Sequence, residues 1–155
     1  MVKSDMKARL LVVGIGADGR SCIVEHRELI AEAVAPGTLI MSLFTTDSGP
    51  LRTLPAGLGT YVQDRLSPGQ VSWRIVIRTP GSPVVATATG TGLRYKNTIE
   101  FAVVLEGSGE LVLGDGSHAI SVGDCIVLPG SDHALRAGAE GCRLMAFDIG
   151  MPAPG

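Results

Sequence analysis

Turn residues punctuate this chain so often that it has room for strands and little room for helices. From residue 98 to 149, apolar runs rich in Val, Ile and Leu are cut at short intervals by Gly, Asp, Ser and Pro. The sharpest break is Gly114-Asp115-Gly116-Ser117, set between the runs 110–113 and 118–122, a strong hairpin signal. Residues 101–105 are continuously apolar, and 125–128 and 143–149 complete a closely spaced set of strands. Upstream, 9–15 and 21–24 read as two strands joined by the turn Ala17-Asp18-Gly19-Arg20, 38–45 as a third and 71–78 as a fourth, with 83–89 expected to continue the sheet. Within 71–78, Trp73, Ile75 and Ile77 share one face and Arg74, Val76 and Arg78 the other, as in a half-buried strand. Only 26–35 has helical spacing, with Leu29, Ile30 and Ala33 recurring along one side and Pro36-Gly37 as a stop. Residues 47–69, broken repeatedly by Gly and Pro, form the longest irregular stretch; a loop of that length is either a functional lid or a surface excursion.

With 155 residues the chain has the length for one domain around a single core. A hydrophobic share of 45% against 18% charged residues argues against disorder and for a well-filled interior. The net charge of -2, with Lys and Arg scattered, supplies no basic stripe and so no electrostatic case for nucleic acid. Cys22, Cys125 and Cys142 are odd in number and far apart, which suggests free thiols rather than a disulfide framework or a zinc cluster. The charged opening Met1-Val-Lys-Ser-Asp-Met-Lys-Ala-Arg9 is followed by a short, Gly-interrupted apolar run, too brief for a signal peptide or a membrane span. A cytoplasmic protein without a membrane partner is the expectation. Many short antiparallel strands in such a chain predict an all-β jelly roll or barrel that closes its own edges and encloses a ligand cavity.

The spacing of particular residues narrows this further. Glu100, six residues, Gly107, fifteen residues, Gly123-Asp124, four residues, Pro129-Gly130 and then His133 resembles the two signature motifs of the cupin superfamily. The likeness is sharper to a subgroup active in small-molecule metabolism, through Thr98-Ile99-Glu100-Phe101, Val104-Leu105-Glu106-Gly107 and Gly130-Ser131-Asp132-His133-Ala134, with Cys142-Arg143-Leu144-Met145-Ala146-Phe147 resembling the closing strand. These motifs cover roughly a third of the chain. The resemblance implies a single-domain jelly-roll cupin, with N-terminal strands over about 8–89 and the motif-bearing core over about 90–150. It also implies a homodimer, which is common in the family. It does not fix the chemistry, because one fold hosts many activities.

Metal-binding cupins carry His-x-His three or four residues before the motif glutamate. In one register those slots hold Arg94 and Lys96, in the other Leu93 and Tyr95, so neither offers an imidazole. Side chains alternate along a strand, so Arg94, Lys96, Thr98 and Glu100 share one face, and the match to the metal-binding glutamate implies that this face points inward. Two permanent cations would then stand where a divalent ion usually sits, and no metal or other cofactor is expected.

Arg94 can fork onto a carboxylate or an enolate-like oxygen and Lys96 can add a point charge, which suits an anionic or polyoxygenated substrate. Glu100 and His133 are the candidate catalytic acid–base pair, and proton transfer beside an oxyanion fits isomerisation, cyclisation, dehydration or decarboxylation. Trp73 is a candidate wall for a substrate ring, although a tryptophan is as simply a core residue. Three competing readings stand beside this one. Glu100 could serve only as the buried partner of Lys96 or Arg94, and His133 only as a backbone-bonded histidine. The cavity could bind or sense a molecule without converting it. A reduced metal site could persist on Glu100, His133 and a thiol such as Cys125.

Overall fold

The computed structural model describes residues 7–35, 38–43, 56–62, 66–82 and 92–153. Among these, every regular element is a strand: β1 (Lys7–Ile15), β2 (Ser21–Ile30), β3 (Glu32–Ala35), β4 (Thr38–Ile40), β5 (Thr60–Tyr61), β6 (Val71–Arg78), β7 (Arg94–Tyr95), β8 (Thr98–Leu113), β9 (Gly116–Ser121), β10 (Asp124–Pro129) and β11 (Ala134–Gly150). The chain is all-β, as its punctuation predicts. The expected helix over 26–35 is absent. Those residues form the end of β2 and the whole of β3, because Leu29 buries itself among Leu10, Val12, Cys125 and Val127, and pairing of β2 with β1 and of β3 with β4 satisfies the backbone that a helix would have bonded internally. Residues 83–89, expected to continue the sheet, lie outside the described residues, as do 44–45 of the expected strand 38–45 and much of the stretch 47–69.

The main sheet has seven strands in the order β2-β1-β10-β8-β11-β6, with β9 also paired to β8. It is mixed: β1 runs parallel to β10, and the other pairings are antiparallel. β1 and β2 thus belong to the same sheet as the motif-bearing strands. β8 and β11 form its spine, paired from Thr98 with Gly150 to Val112 with Ala134. On its other edge β8 changes partner, meeting β10 over Ile99 to Val103 and β9 over Ser108 to Leu113. The change falls at Gly107, whose φ of 73° lies in the left-handed region and whose missing Cβ leaves room for the Gly141 carbonyl. At the turn into β10, Asp124 accepts from Arg9 Nε at 2.8 Å and from the Ser121 N–H at 2.8 Å, tying β1 to the β9–β10 corner. The motif aspartate is therefore a structural clamp.

Strand parity sorts the interior into two layers. On one face of the sheet Leu11, Val13, Ala102, Val104, Leu111, Ile126, Leu128 and Leu144 pack together. On the opposite face Leu10, Val12, Cys125 and Val127 are covered by Leu29, with Met41, Leu43, Ile99, Phe101 and Val103 against them. The first face is concave enough to leave space, and the candidate site lies there.

Candidate active site

A cavity of about 530 Å³ opens on the Leu11–Leu144 face. Its apolar wall includes Val76, Ala102, Leu111, Ile126, Leu128 and Leu144, and its polar wall is built from Arg74, Arg94, Lys96, Glu100, His133 and Asp148. Cross-strand register explains the split. Ser72 of β6, Asp148 of β11, Glu100 of β8 and Leu128 of β10 form one transverse row, and Arg74, Ala146, Ala102 and Ile126 form the next. Residues at the same transverse level project to the same face, so the two carboxyl groups meet side by side.

Four of the five residues singled out from the sequence, Arg94, Lys96, Glu100 and His133, line this one cavity. Arg94 and His133 are adjacent through a pair of backbone hydrogen bonds, Arg94 N–H to the His133 carbonyl at 3.1 Å and His133 N–H to the Arg94 carbonyl at 3.0 Å. The His133 Nδ1 lies 2.9 Å from the Ser131 carbonyl oxygen. A carbonyl can only accept, so Nδ1 carries the proton and the neutral ring keeps Nε2 as its acceptor. Trp73 is the exception among the five. Its ring stands on the opposite face of β6 from Arg74 and is 75% exposed, because the polar side of that strand is the one turned toward the cavity.

The sequence alone does not place the residues that complete the cluster: Asp148, near the end of the last strand, is a candidate to face the cavity whose side is left open without strand register. Asp148, with a side chain only 2% exposed, accepts from Arg74 Nη2 through Oδ2 at 2.7 Å, and the same guanidinium nitrogen stands 3.6 Å from Glu100 Oε2. The cation that reaches Glu100 in this pairing is thus Arg74, from the edge strand β6. The second oxygen of Asp148, Oδ1, is buried with no donor among the described residues. Burial, and then the neighbouring charge and hydrogen-bonding contact of Glu100, raise the Asp148 carboxyl to about 6 against the opposing pull of Arg74 and Lys96. As the pH falls through about 6 a proton taken up by Asp148 supplies a donor beside Glu100 and lessens the repulsion of the two adjacent carboxylates. A signal for Asp148 was present in the sequence: it is the one acid of the apolar run 143–149, at a position whose facing side depends on register.

The loop before β11 closes one side of the site. Asp132, 2% exposed, accepts from the N–H groups of Leu58 at 2.6 Å and Gly59 at 2.9 Å. A Cβ at Gly57 would run into this carboxylate, so glycine is what lets the backbone lie on it. The strap continues as β5, parallel to β7, with Thr60 N–H on the Leu93 carbonyl and Val62 N–H on the Tyr95 carbonyl, and it brings Val62 and Leu66 to the cavity wall. Part of the stretch read as a lid or an excursion therefore borders the cavity.

The donors do not suit a metal ion. Among the described residues no three His, Cys, Asp or Glu side chains gather around one point. Cys125, the thiol considered beside Glu100 and His133, packs with Leu10 and Val127 on the other face of the sheet. The carboxyl pair faces Arg74 rather than an open coordination position. What the arrangement offers chemically is a shared proton, an imidazole acceptor and fixed positive charge around an apolar-walled space. No helix among the described residues is long and apolar enough to cross a membrane. No known protein-family model matches this chain, and no curated protein matches it.

Proposed function

We propose that the chain is a small single-domain cupin of the jelly-roll type, and that its cavity performs acid–base chemistry without a metal on a small anionic or polyoxygenated organic molecule. The reaction class is that of a cyclase, isomerase or lyase, as in a tailoring step of specialised, polyketide-like metabolism. The observation that carries this reading is the convergence of Glu100, Asp148, His133, Arg94 and Lys96 on the wall of one cavity. Arg94 and Lys96 hold a developing oxyanion, and their fixed charge acts most strongly where apolar walls exclude water. Glu100 or the Nε2 of His133 takes a proton from the substrate, while a proton on Asp148 is available to the opposite end of the shifting electron pair. The cytoplasm fits three cysteines that are all free thiols, and the family resemblance supports a homodimer.

Turnover of the physiological substrate by Glu100→Gln and His133→Ala tests the assignment. Each variant is expected to lose on the order of 10²–10⁴ in kcat if its side chain moves protons, and full turnover by both would end the enzymatic reading.

A second reading, a binder or sensor that does not convert its ligand, draws support from the pairing of Arg74 with Asp148 and Glu100, since a satisfied cluster can simply fix the cavity. Crystals soaked with extracts of the producing cells separate the two: an unchanged molecule in the cavity supports binding, a converted one supports catalysis.

A further inference from the structure

Polarity is unevenly distributed over the floor of the cavity. The first transverse row is polar through Ser72, Asp148 and Glu100 and ends at Leu128. The second keeps a single charge, Arg74 at the sheet edge, and runs on through Ala102 to Ile126. The third brings Val76 and Leu144 to the wall, both apolar. Four residues of strand separate the first row from the third, about 13 Å at about 3.3 Å per residue. This floor is continuous paired sheet, β6-β11-β8-β10, and all four strands lie within the described residues, so these side chains fix its composition.

The charged groups form one band. Arg74 bonds Asp148 and stands beside Glu100, the charge of Lys96 acts on Asp148, Arg94 lies two residues before Lys96, and His133 is bonded to the Arg94 backbone. On β6 beyond Val76, Arg78 extends its Nη2 to the Leu135 carbonyl at 3.4 Å, which engages that guanidinium with the chain itself.

We infer that the ligand of this cavity is an organic acid with an apolar body, an alkyl or aryl carboxylate, and not a polyol or a sugar acid. The inference rests on the reading of this cavity as the functional site and narrows its substrate class. A carboxylate matches the forked donors of Arg94, and Lys96 adds a point charge beside it. The body then lies over Ala102, Ile126, Val76 and Leu144, where removing its carbons from water is favourable in proportion to the area covered. A polyhydroxylated body would press its hydroxyls onto the same four side chains, which offer neither donor nor acceptor. Each hydroxyl would lose its water without a replacement. A space of about 530 Å³ suits such a molecule, since small-molecule sites span about 300–1,000 Å³.

Three six-carbon probes separate the classes: hexanoate has the charge and the apolar body, 1-hexanol only the body, and gluconate the charge on a polyhydroxylated body. Each is titrated into the full chain while the methyl signals of Ala102, Ile126 and Leu144 are followed by NMR. Hexanoate is expected to saturate these signals with a Kd at least about tenfold below that of either other probe, the scale set by one charge-assisted hydrogen bond or by several unpaired hydroxyls. Arg94→Gln is expected to raise the Kd of hexanoate about tenfold and to leave that of 1-hexanol unchanged. Gluconate or 1-hexanol binding as tightly as hexanoate overturns the inference, as does saturation that leaves those methyls unmoved. Absence of saturation by any probe overturns it too, and so does a hexanoate affinity that a folded Arg94→Gln retains. The comparison of probes on the wild-type chain decides the matter even where that variant folds poorly. No turnover enters these readouts, so the ligand class and the acid–base reading fail separately.

Discussion

At the scale of single residues, Asp148 concentrates the electrostatic cost of the site. It is buried beside Glu100 with one guanidinium for relief, and its carboxyl titrates near 6 in the folded protein against about 4 in an unfolded chain. Ionising it therefore costs the native state more than the denatured one. The stability it contributes is fully present below about pH 4 and is lost as the pH rises through 6, up to about 3 kcal/mol for a shift of this size. Asp148→Asn removes the ionisation while keeping an oxygen for Arg74. Urea unfolding at a series of pH values should show wild-type stability falling over that window relative to the variant. Parallel curves for the two proteins would mean that Asp148 ionises like an ordinary aspartate. Arg74, Glu100 and Lys96 also act on this group, so the variant reports the cluster as much as the one side chain.

At the scale of elements, the part of the fold decided by local pattern was readable and the part decided by packing was not. The strands at 9–15, 71–78, 110–113 and 125–128 each lie within an observed element, because turn residues and alternation are local properties. The helical spacing of 26–35 was overruled by a long-range contact, Leu29 against Val127 and its neighbours, which no local window contains. In 71–78 the two faces were correctly separated, yet nothing in a single strand says which face turns inward. Trp73 went outward and Arg74 inward because the cross-strand neighbours of Arg74 lead to the carboxyl pair. The site was readable to the same degree. Arg94, Lys96 and Glu100 were grouped by the parity of one strand, which the structure divides into β7 and β8 with Lys96 between them, and His133 by a spaced motif, whereas Asp148 and Arg74 needed register between strands. Asp132 belongs to this scale too, since it joins the loop before β11 to the strap at 57–62. Asp132→Ala would remove the acceptor of two part-buried N–H groups, at about 0.5–1.5 kcal/mol for each hydrogen bond lost. Hydrogen exchange at Leu58 and Gly59 should accelerate with it while the amides of β10 stay protected. Unchanged exchange at those two positions would show that the strap is held by its pairing to β7 alone.

At the scale of the whole molecule, one face of the sheet is packed under Leu29, Met41 and Leu43 at its β1–β10 end while the other leaves a cavity, and the small side chain Ala102 marks where the packing is held open. It is 4% exposed and lines the cavity as part of the apolar wall, in the same transverse row as Arg74. In a filled interior a larger residue there would force neighbours off their rotamers, at about 1–3 kcal/mol. Beside the cavity of about 530 Å³ that Ala102 lines, the added carbons of a larger residue have open space to extend into. Ala102→Leu is therefore expected to be neutral, or to stabilise by up to about 2 kcal/mol as its added carbons leave water, with the gain read from urea midpoints. The filled variant should also lose whatever molecule the wild type takes up, since the new side chain occupies the space between the apolar wall and the charged groups. A large loss of stability would mean that Ala102 already sits in a close-packed core, and the polar cluster above it would then be a buried ion network rather than the wall of a site.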